Sequence, residues 1–333
     1  MSVSGIISEI DFDRYSSEYN QYYNKFNDKT IFNSPNFLSL YVNKGTKFIF
    51  LKYKETDVNL GYCIFTLSND ENKLSKIYTS HGHAPYSSII ATSNEIEFNM
   101  RFYNSIISHI FETNELNNVN IEFRVPPGEF FPNAVNSDWI LWSIGGKRNS
   151  GYFGRFFENK TSICLNRNRL RNTIRKNSLN YEIREIFDLG TNFYNLIVDN
   201  RRIRHEANLT HSYSDLKYFL DNSPELIQLY ELKHDNLLCC ALVTFQDYNQ
   251  IIMQYLAGSA CSYTNGCQDV FLKVYLDEYY TGEKPLLFGT STEPSQDHKE
   301  LNIGLDRYKS SWGASVYTCF RFLITKRVGV IAN

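Results

Sequence analysis

The stretch Pro224–Val316 constrains this chain most, because its apolar pattern changes period along its length. Leu226–Lys233 and Leu237–Gln246 are β-rich runs parted by the short polar turn His234–Asp235–Asn236. Ile251–Leu256 is a third such run and closes on Ala257–Gly258–Ser259. After a polar loop, Cys261–Gly266, the residues Val270, Phe271, Val274 and Tyr275 recur at helical spacing, and Gly282 stands where a C-terminal helix glycine belongs. Pro285–Phe288 reads as a short buried strand running into Gly289–Glu293. Hairpin, strand, helix, strand predicts an α/β layer. Its loop leads to a helix N-terminus, where unpaired N–H groups suit a pyrophosphate.

The first half repeats this order. Ile6–Asn27, acidic and Tyr-rich, is expected to be a helical lead-in, and Ser34–Pro35 starts a helix with Ser34 as N-cap and Pro35 at N1. Lys47–Tyr53 and Leu60–Leu67 form a hairpin, Leu74–Thr79 a third strand, His81–Ser88 a loop, Glu95–Phe111 an amphipathic helix and Val119–Val125 a strand stopped by Pro126–Pro127–Gly128. A capped helix at Ser214–Leu220 precedes the second copy. The predicted fold is therefore α/β (α+β), with two tandem units, each a mixed and mostly antiparallel sheet flanked by helices. The boundaries are 1–155 and 156–333, joined near Ser150–Lys160; a single large α/β domain is the alternative.

Composition removes several classes. Thirty-four basic against 36 acidic residues give a net charge of −2, too weak a field to favour nucleic acid or an anionic membrane. Seven cysteines without a C-x-x-C pair, and histidines without zinc spacing, predict reduced thiols in a cytoplasm and no metal. Neither a signal peptide nor an eighteen-residue apolar run is legible. Tyr and Phe, 24 of each, serve either as core or as ring platforms for a ligand. The most skewed segment is Asn166–Arg204, whose arginines include Arg167, Arg184, Arg201, Arg202 and Arg204. Leu170, Ile174 and Leu179 punctuate its first part at helical spacing, predicting an amphipathic helix whose cationic face is either solvated or lines a cleft for phosphorylated ligands.

Tyr255–Ser259, the following helix, Leu287–Thr292 and the block Gly304–Leu305–Asp306–Arg307–Tyr308–Lys309–Ser310–Ser311–Trp312–Gly313–Ala314 together resemble the C-terminal domain of Fem-type acyltransferases, tandem members of the GNAT superfamily. The final block looks like that family's closing aromatic–lysine…aromatic–glycine–alanine signature, and the resemblance covers Cys164–Phe320 best. It implies acyl-coenzyme A bound on the 156–333 side against Tyr255, Ala257, Ser259, Asn265, Gly266, Cys267 and Ser291; the duplicated order then places the acceptor between the halves, with the His81–Ser88 loop of the 1–155 side facing the cofactor. The loop Ser262–Gly266 departs from the family's glycine-rich pyrophosphate loop in having one glycine.

Acyl transfer to an amine needs a proton acceptor, an oxyanion donor and a way to neutralise the departing thiolate. His83 and His205 are the candidate bases, with Glu206 and Glu293 beside them, and Tyr308 holds the place of a thiol-protonating tyrosine. His81, Tyr86, Arg124, Arg201, Arg204 and Glu206 are the candidate acceptor contacts. The function expected is transfer of an acetyl or short hydroxyacyl group, such as 3-hydroxybutanoyl, from coenzyme A to a nucleotide-linked amino-deoxyhexose, dTDP being the expected nucleotide. Such products serve surface polysaccharide and O-antigen synthesis. Two alternatives stay open: a Fem-type aminoacyltransferase fed by aminoacyl-tRNA, and a silent binding module that keeps the fold.

Overall fold

Ser34 Oγ accepts from the Phe37 N–H at 3.2 Å and Pro35 fills the first helical position, so helix α1 (Pro35–Asn43) begins where its sequence dictates. The structure is a computed structural model. It describes the 333-residue chain apart from residues 1–4, 11–18, 22, 27–28, 57–59, 71–74, 83, 88, 115–117, 167, 169–180, 206–207, 261–265, 293–299 and 327–333. For a few others, Arg204 and His205 among them, the backbone alone is described. The chain divides into two compact units: residues 1–152 with 294–299 and 318–333, and residues 153–293 with 300–317.

In the first unit, β1 (Ile6–Ile10), β2 (Phe48–Lys54), β3 (Leu60–Asp70), β4 (Ser75–Ser80) and β6 (Val119–Arg124) lie side by side in that order. A short β5 (Ile90–Ala91) pairs with β3. The far side of β6 is covered by the Arg321–Thr325 part of β13 (Ser315–Thr325). All pairs are antiparallel except β4 with β6. The expected helical lead-in is corrected in its first part and not in its last: residues 19–21 and 23 are helical, whereas Ile6–Ile10 is an edge strand, registered from Ile6↔Lys54 to Ile10↔Phe50. Its β-branched run satisfies its backbone on a strand some forty residues away, which no local pattern records.

Helix α2 (Ile96–Thr113) buries Phe98, Phe102, Tyr103, Ile106 and Ile110 on one face, each contributing about 1.5–3 kcal/mol. The Phe102 ring stacks on Tyr53 at 5.1 Å, and a Cβ at Gly61 would sit 2.5 Å from it, so the sheet presents glycine there. Helix α3 (Pro132–Ser143) has no counterpart in the sequence reading. The aromatics of this unit pack on one another: Tyr19, Phe26, Phe50 and Tyr62 form one buried group.

Strand β7 (Lys147–Phe157) begins in the first unit and ends in the second, so the expected joint at Ser150–Lys160 is mostly strand. The second unit runs β8 (Tyr181–Ile186), α4 (Thr191–His205), α5 (Tyr213–Asn222), β9 (Ile227–His234), β10 (Leu237–Gln246), β11 (Ile251–Gly258), α6 (Cys267–Val274), β12 (Leu286–Thr290) and α7 (Ile303–Ser310). Its strand order is β8-β9-β10-β11-β12-β7, antiparallel save for β11 with β12. The β9–β10 turn works because Asp235 (φ 51°) and Asn236 (φ 65°) both enter the left-handed region, as a two-residue hairpin demands. Past Val274 the chain widens into a π turn, Tyr275–Tyr279, closed by the Tyr280 N–H on Tyr275 O.

The order of elements thus recurs: α1, hairpin, β4, α2, β6 in the first unit, and α5, hairpin, β11, α6, β12 in the second. Among the described residues, the arginines of Asn166–Arg204 do not share one element. Arg184 lies on β8, bonded to Glu231, while Arg201 and Arg202 lie on α4. Leu170, Ile174 and Leu179 fall outside the described residues.

Candidate functional site

Among the described residues, the two units differ at the parallel strand pair that each contains. In the first, β4 and β6 stay zipped over Lys76↔Val119, Ile77↔Asn120, Tyr78↔Ile121 and Thr79↔Glu122, and Ser80 Oγ then accepts from the Arg124 N–H at 2.8 Å. In the second, β11 meets β12 at Ile251↔Leu286 and Ile252↔Leu287 and then parts from it. Gln254, just past that point, is an extra residue in the strand. The β10–β11 register passes from Val243↔Tyr255 to Thr244↔Met253, a bulge that skips Gln254 and bends the strand. Among the described residues, β11 beyond Ile252 pairs with no strand on that side.

Lys309 lies where the two strands part, at the end of β12. Its Nζ donates to the carbonyls of Gly289 at 2.8 Å and Thr290 at 2.6 Å, and only 5% of the residue is exposed. Gly289 makes room: its φ is 76°, and a Cβ there would meet Lys309 Nζ at 3.6 Å and the Met253 carbonyl at 3.8 Å. Burial lowers the Lys309 ammonium to about 7; Asp306 opposes the shift and the Arg155 charge adds to it. Arg155 in turn grips Asp306 through two bonds, 2.7 and 2.8 Å, and donates to Ala314 O at 3.1 Å. That grip holds the Asp306 carboxyl below its usual range against the opposing pull of burial.

On β11, Tyr255 points its hydroxyl at His211 Nδ1, 2.9 Å away, and at Thr210 Oγ1, 2.7 Å away. The Asn200 side chain of α4 donates to Gly258 O at 3.2 Å and so ties the end of β11 to that helix. Burial raises the Tyr255 hydroxyl, with Thr210, Gln254, His211 and the Arg201 charge opposing it.

The sequence-derived candidates distribute as follows. Tyr255 and Ala257 lie on the opened stretch of β11, and Ser259 just beyond it donates its N–H to Cys239 O. Gly266 (φ 64°) caps α6, and Cys267 is buried behind it. Ser291 is buried where β12 turns away, its N–H on Phe153 O. Tyr308 lays its ring 6.0 Å from Phe288 against the core. In the first unit, His81 is wholly buried between the rings of Phe37 and Phe48, and Tyr86 is buried against Phe32 and Phe131. Arg124 is engaged by Glu122 and the carbonyls of Gly82 and Ala84, so it pins the loop. Arg201 is half-buried near Tyr255. Arg204 and His205 end α4 with their side chains outside the described residues, as are His83, Glu206, Asn265 and Glu293 entirely. The sequence reading missed Lys309, Arg155, Thr210 and His211. Lys309 stood inside the quoted closing block; the others carry no local mark.

No family model and no curated protein matches the chain. Solved structures do. FemX superposes at a TM-score of 0.63 with 11% identity, covering 94% of this chain and 96% of its own. The fold is GNAT-like. A tandem GNAT protein from the clavulanic acid biosynthesis pathway follows at 0.51 and 5% identity, covering 98% of this chain and 100% of its own. L-PGS from Bacillus licheniformis follows at 0.54 and 10%, covering 83% of each chain. At these identities the likeness reaches the fold and not the substrate. Within this GNAT-like frame the parallel pair opens in the second unit and stays zipped in the first. No described helix is long and apolar enough to cross a membrane.

Proposed function

We propose that this chain is an acyltransferase that moves an acyl group from a thioester, coenzyme A being the donor, to a primary amine at the opened edge of β11. The observation that carries this reading is the parting of β11 from β12 with Lys309 at its root. An extended donor arm bearing amides can pair with a bare strand edge, as an added strand would. The thioester oxygen, as it gains charge, then meets backbone N–H groups fixed before the reaction. Two protons of the Lys309 ammonium are held by Gly289 and Thr290, and the third serves the oxyanion or the departing thiolate. The donor's phosphates are placed at the start of α6, where Gly266 opens the helix.

For the acceptor we favour an amino sugar carried on a nucleotide, with Arg201 and Arg204 reaching its phosphates. The near-neutral charge of the chain fits a small anionic substrate better than tRNA. The test is a pair of assays on one preparation: thiol release from acetyl- and 3-hydroxybutanoyl-coenzyme A with amino-sugar nucleotides, and aminoacyl-tRNA turnover with a peptidoglycan precursor. Amine-dependent thiol release supports the proposal. Turnover in the second assay alone replaces it with the Fem-type reading.

A further inference from the structure

The cluster around Tyr255 takes no part in the chemistry assigned to Lys309, yet its geometry is that of a relay. Thr210 is exposed, Tyr255 is 6% exposed and His211 4% exposed, so three polar groups step from the surface inward. The phenolic oxygen lies 2.7 Å from Thr210 Oγ1 and 2.9 Å from His211 Nδ1. Three elements fix the imidazole: Phe219 of α5 and Phe245 of β10 meet it edge-on, at 6.1 and 5.5 Å between centroids, and Tyr255 of β11 reaches Nδ1, as does Thr210 Oγ1 at 3.2 Å. The charged neighbours are Arg201 of α4, which acts on Tyr255, and Asp215 of α5, whose carboxylate takes the Ser212 N–H at 2.8 Å in a capping box. Tyr255 directly follows Gln254, the extra residue of the β11 bulge.

We propose that Tyr255 and His211 form the proton-accepting pair for the attacking amine, Tyr255 touching the amine and His211 acting through it as a positioning residue and final acceptor. This rests on the reading of the site as an amine acyltransferase. The amine nitrogen forms its bond to the thioester carbon as the C–S bond breaks. One N–H proton passes to the Tyr255 oxygen while the phenolic proton passes to His211 Nδ1. The thiolate leaves with the C–S electron pair and takes a proton from Lys309, His211 returns its own proton to solvent through the same hydroxyls, and Lys309 regains one from solvent once the thiol has left. This direction requires the resting imidazole to carry its proton on Nε2.

The test uses the whole chain with three variants, His211→Ala, His211→Gln and Tyr255→Phe, each checked for an unchanged thermal transition and unchanged coenzyme A affinity. His211→Ala and Tyr255→Phe should lower kcat about a hundredfold with the acceptor KM held, and His211→Ala should lose the acidic limb of kcat/KM. Glutamine can accept the phenolic hydrogen bond but cannot take up a proton, so full activity in His211→Gln reduces His211 to a structural role and overturns the proposal. A second arm needs no substrate: nitrogen-15 side-chain spectra of the resting protein should show His211 with a bare Nδ1 that accepts a hydrogen bond, a signal shifted in Tyr255→Phe although Thr210 Oγ1, 3.2 Å away, still reaches the atom. A proton found on Nδ1 overturns the relay. A wild-type chain that acylates no amine refutes the reading of the site. An active wild type with a fully active His211→Ala refutes the relay alone.

Discussion

Lys309 Nζ lies 2.8 Å from the Gly289 carbonyl and 2.6 Å from that of Thr290, so one buried amine bridges two consecutive residues of a strand at the point where it leaves its neighbour. The arrangement couples the parting of the strands to the charge of one side chain.

That charge should be visible in stability. In the unfolded chain the lysine keeps its proton to about 10.5, but in the fold only to about 7. Between those values the unfolded state binds more protons, so stability rises with pH, by up to about 1.4 kcal/mol per pH unit for this group. Below 7 both states are charged and the cost of burial is fully present. Denaturant midpoints of wild type and Lys309→Met, compared from pH 6 to 10, should diverge in slope over this window. Parallel curves would remove Lys309 as a buried titrating group.

Gly289→Ala tests the backbone side of the same bridge. Its φ of 76° disfavours any Cβ, although the nearest atoms, at 3.6 and 3.8 Å, are at ordinary contact. The expected loss is therefore conformational, about 1–2 kcal/mol, with the lysine left in place. A larger loss, or a loss of the Lys309 pH slope, would mean that the strand itself has moved.

Arg155 and Asp306 form a bidentate pair whose side chains are 17% and 14% exposed. Arg155→Ala leaves the Asp306 carboxylate with Ser291 and the Lys309 charge as its remaining support and should cost about 2–4 kcal/mol at neutral pH. The Asp306 carboxyl is held below 3.8, so this contribution is present above that value and is lost as pH falls through the folded value. The stability gap between wild type and Arg155→Ala should therefore close in acid. A gap that stays constant to pH 2 would assign the loss to the Arg155–Ala314 contact instead.

The three tryptophans offer a check on burial. Trp139 and Trp142 are 49% and 65% exposed, whereas Trp312 is fully buried in the second unit's core with Phe271, Tyr275 and Phe288. Acrylamide should quench the first two and spare a blue-shifted third, which Trp312→Phe removes. Trp312→Ala should cost about 3–5 kcal/mol. Quenching of all the emission at one rate would contradict this placement.

What the sequence determined by itself lies within a few residues of its cause. Ser34 and Pro35 start a helix because cap and first turn are adjacent, and Asp235–Asn236 turn a hairpin because both tolerate positive φ. The recurring order of helix, hairpin, strand, helix and strand followed from such local signals, and with it the α/β class. Ile6–Ile10 went the other way, since a short edge strand is decided by the free side of β2 and not by its own residues. The candidate site was legible only in part. Tyr255 and Gly266 could be named from the strand-loop-helix pattern, but burial of His81 among rings depends on Phe37 and Phe48, tens of residues away. Arg155 and Asp306 stand 151 residues apart, Tyr255 and His211 stand 44 apart, and the bulge at Gln254 exists only against β10. Periodicity reports which face of an element is apolar. Whether two parallel strands stay zipped, as β4 and β6 do, or part, as β11 and β12 do, is settled by pairing energies between distant segments, and tertiary structure alone decided it.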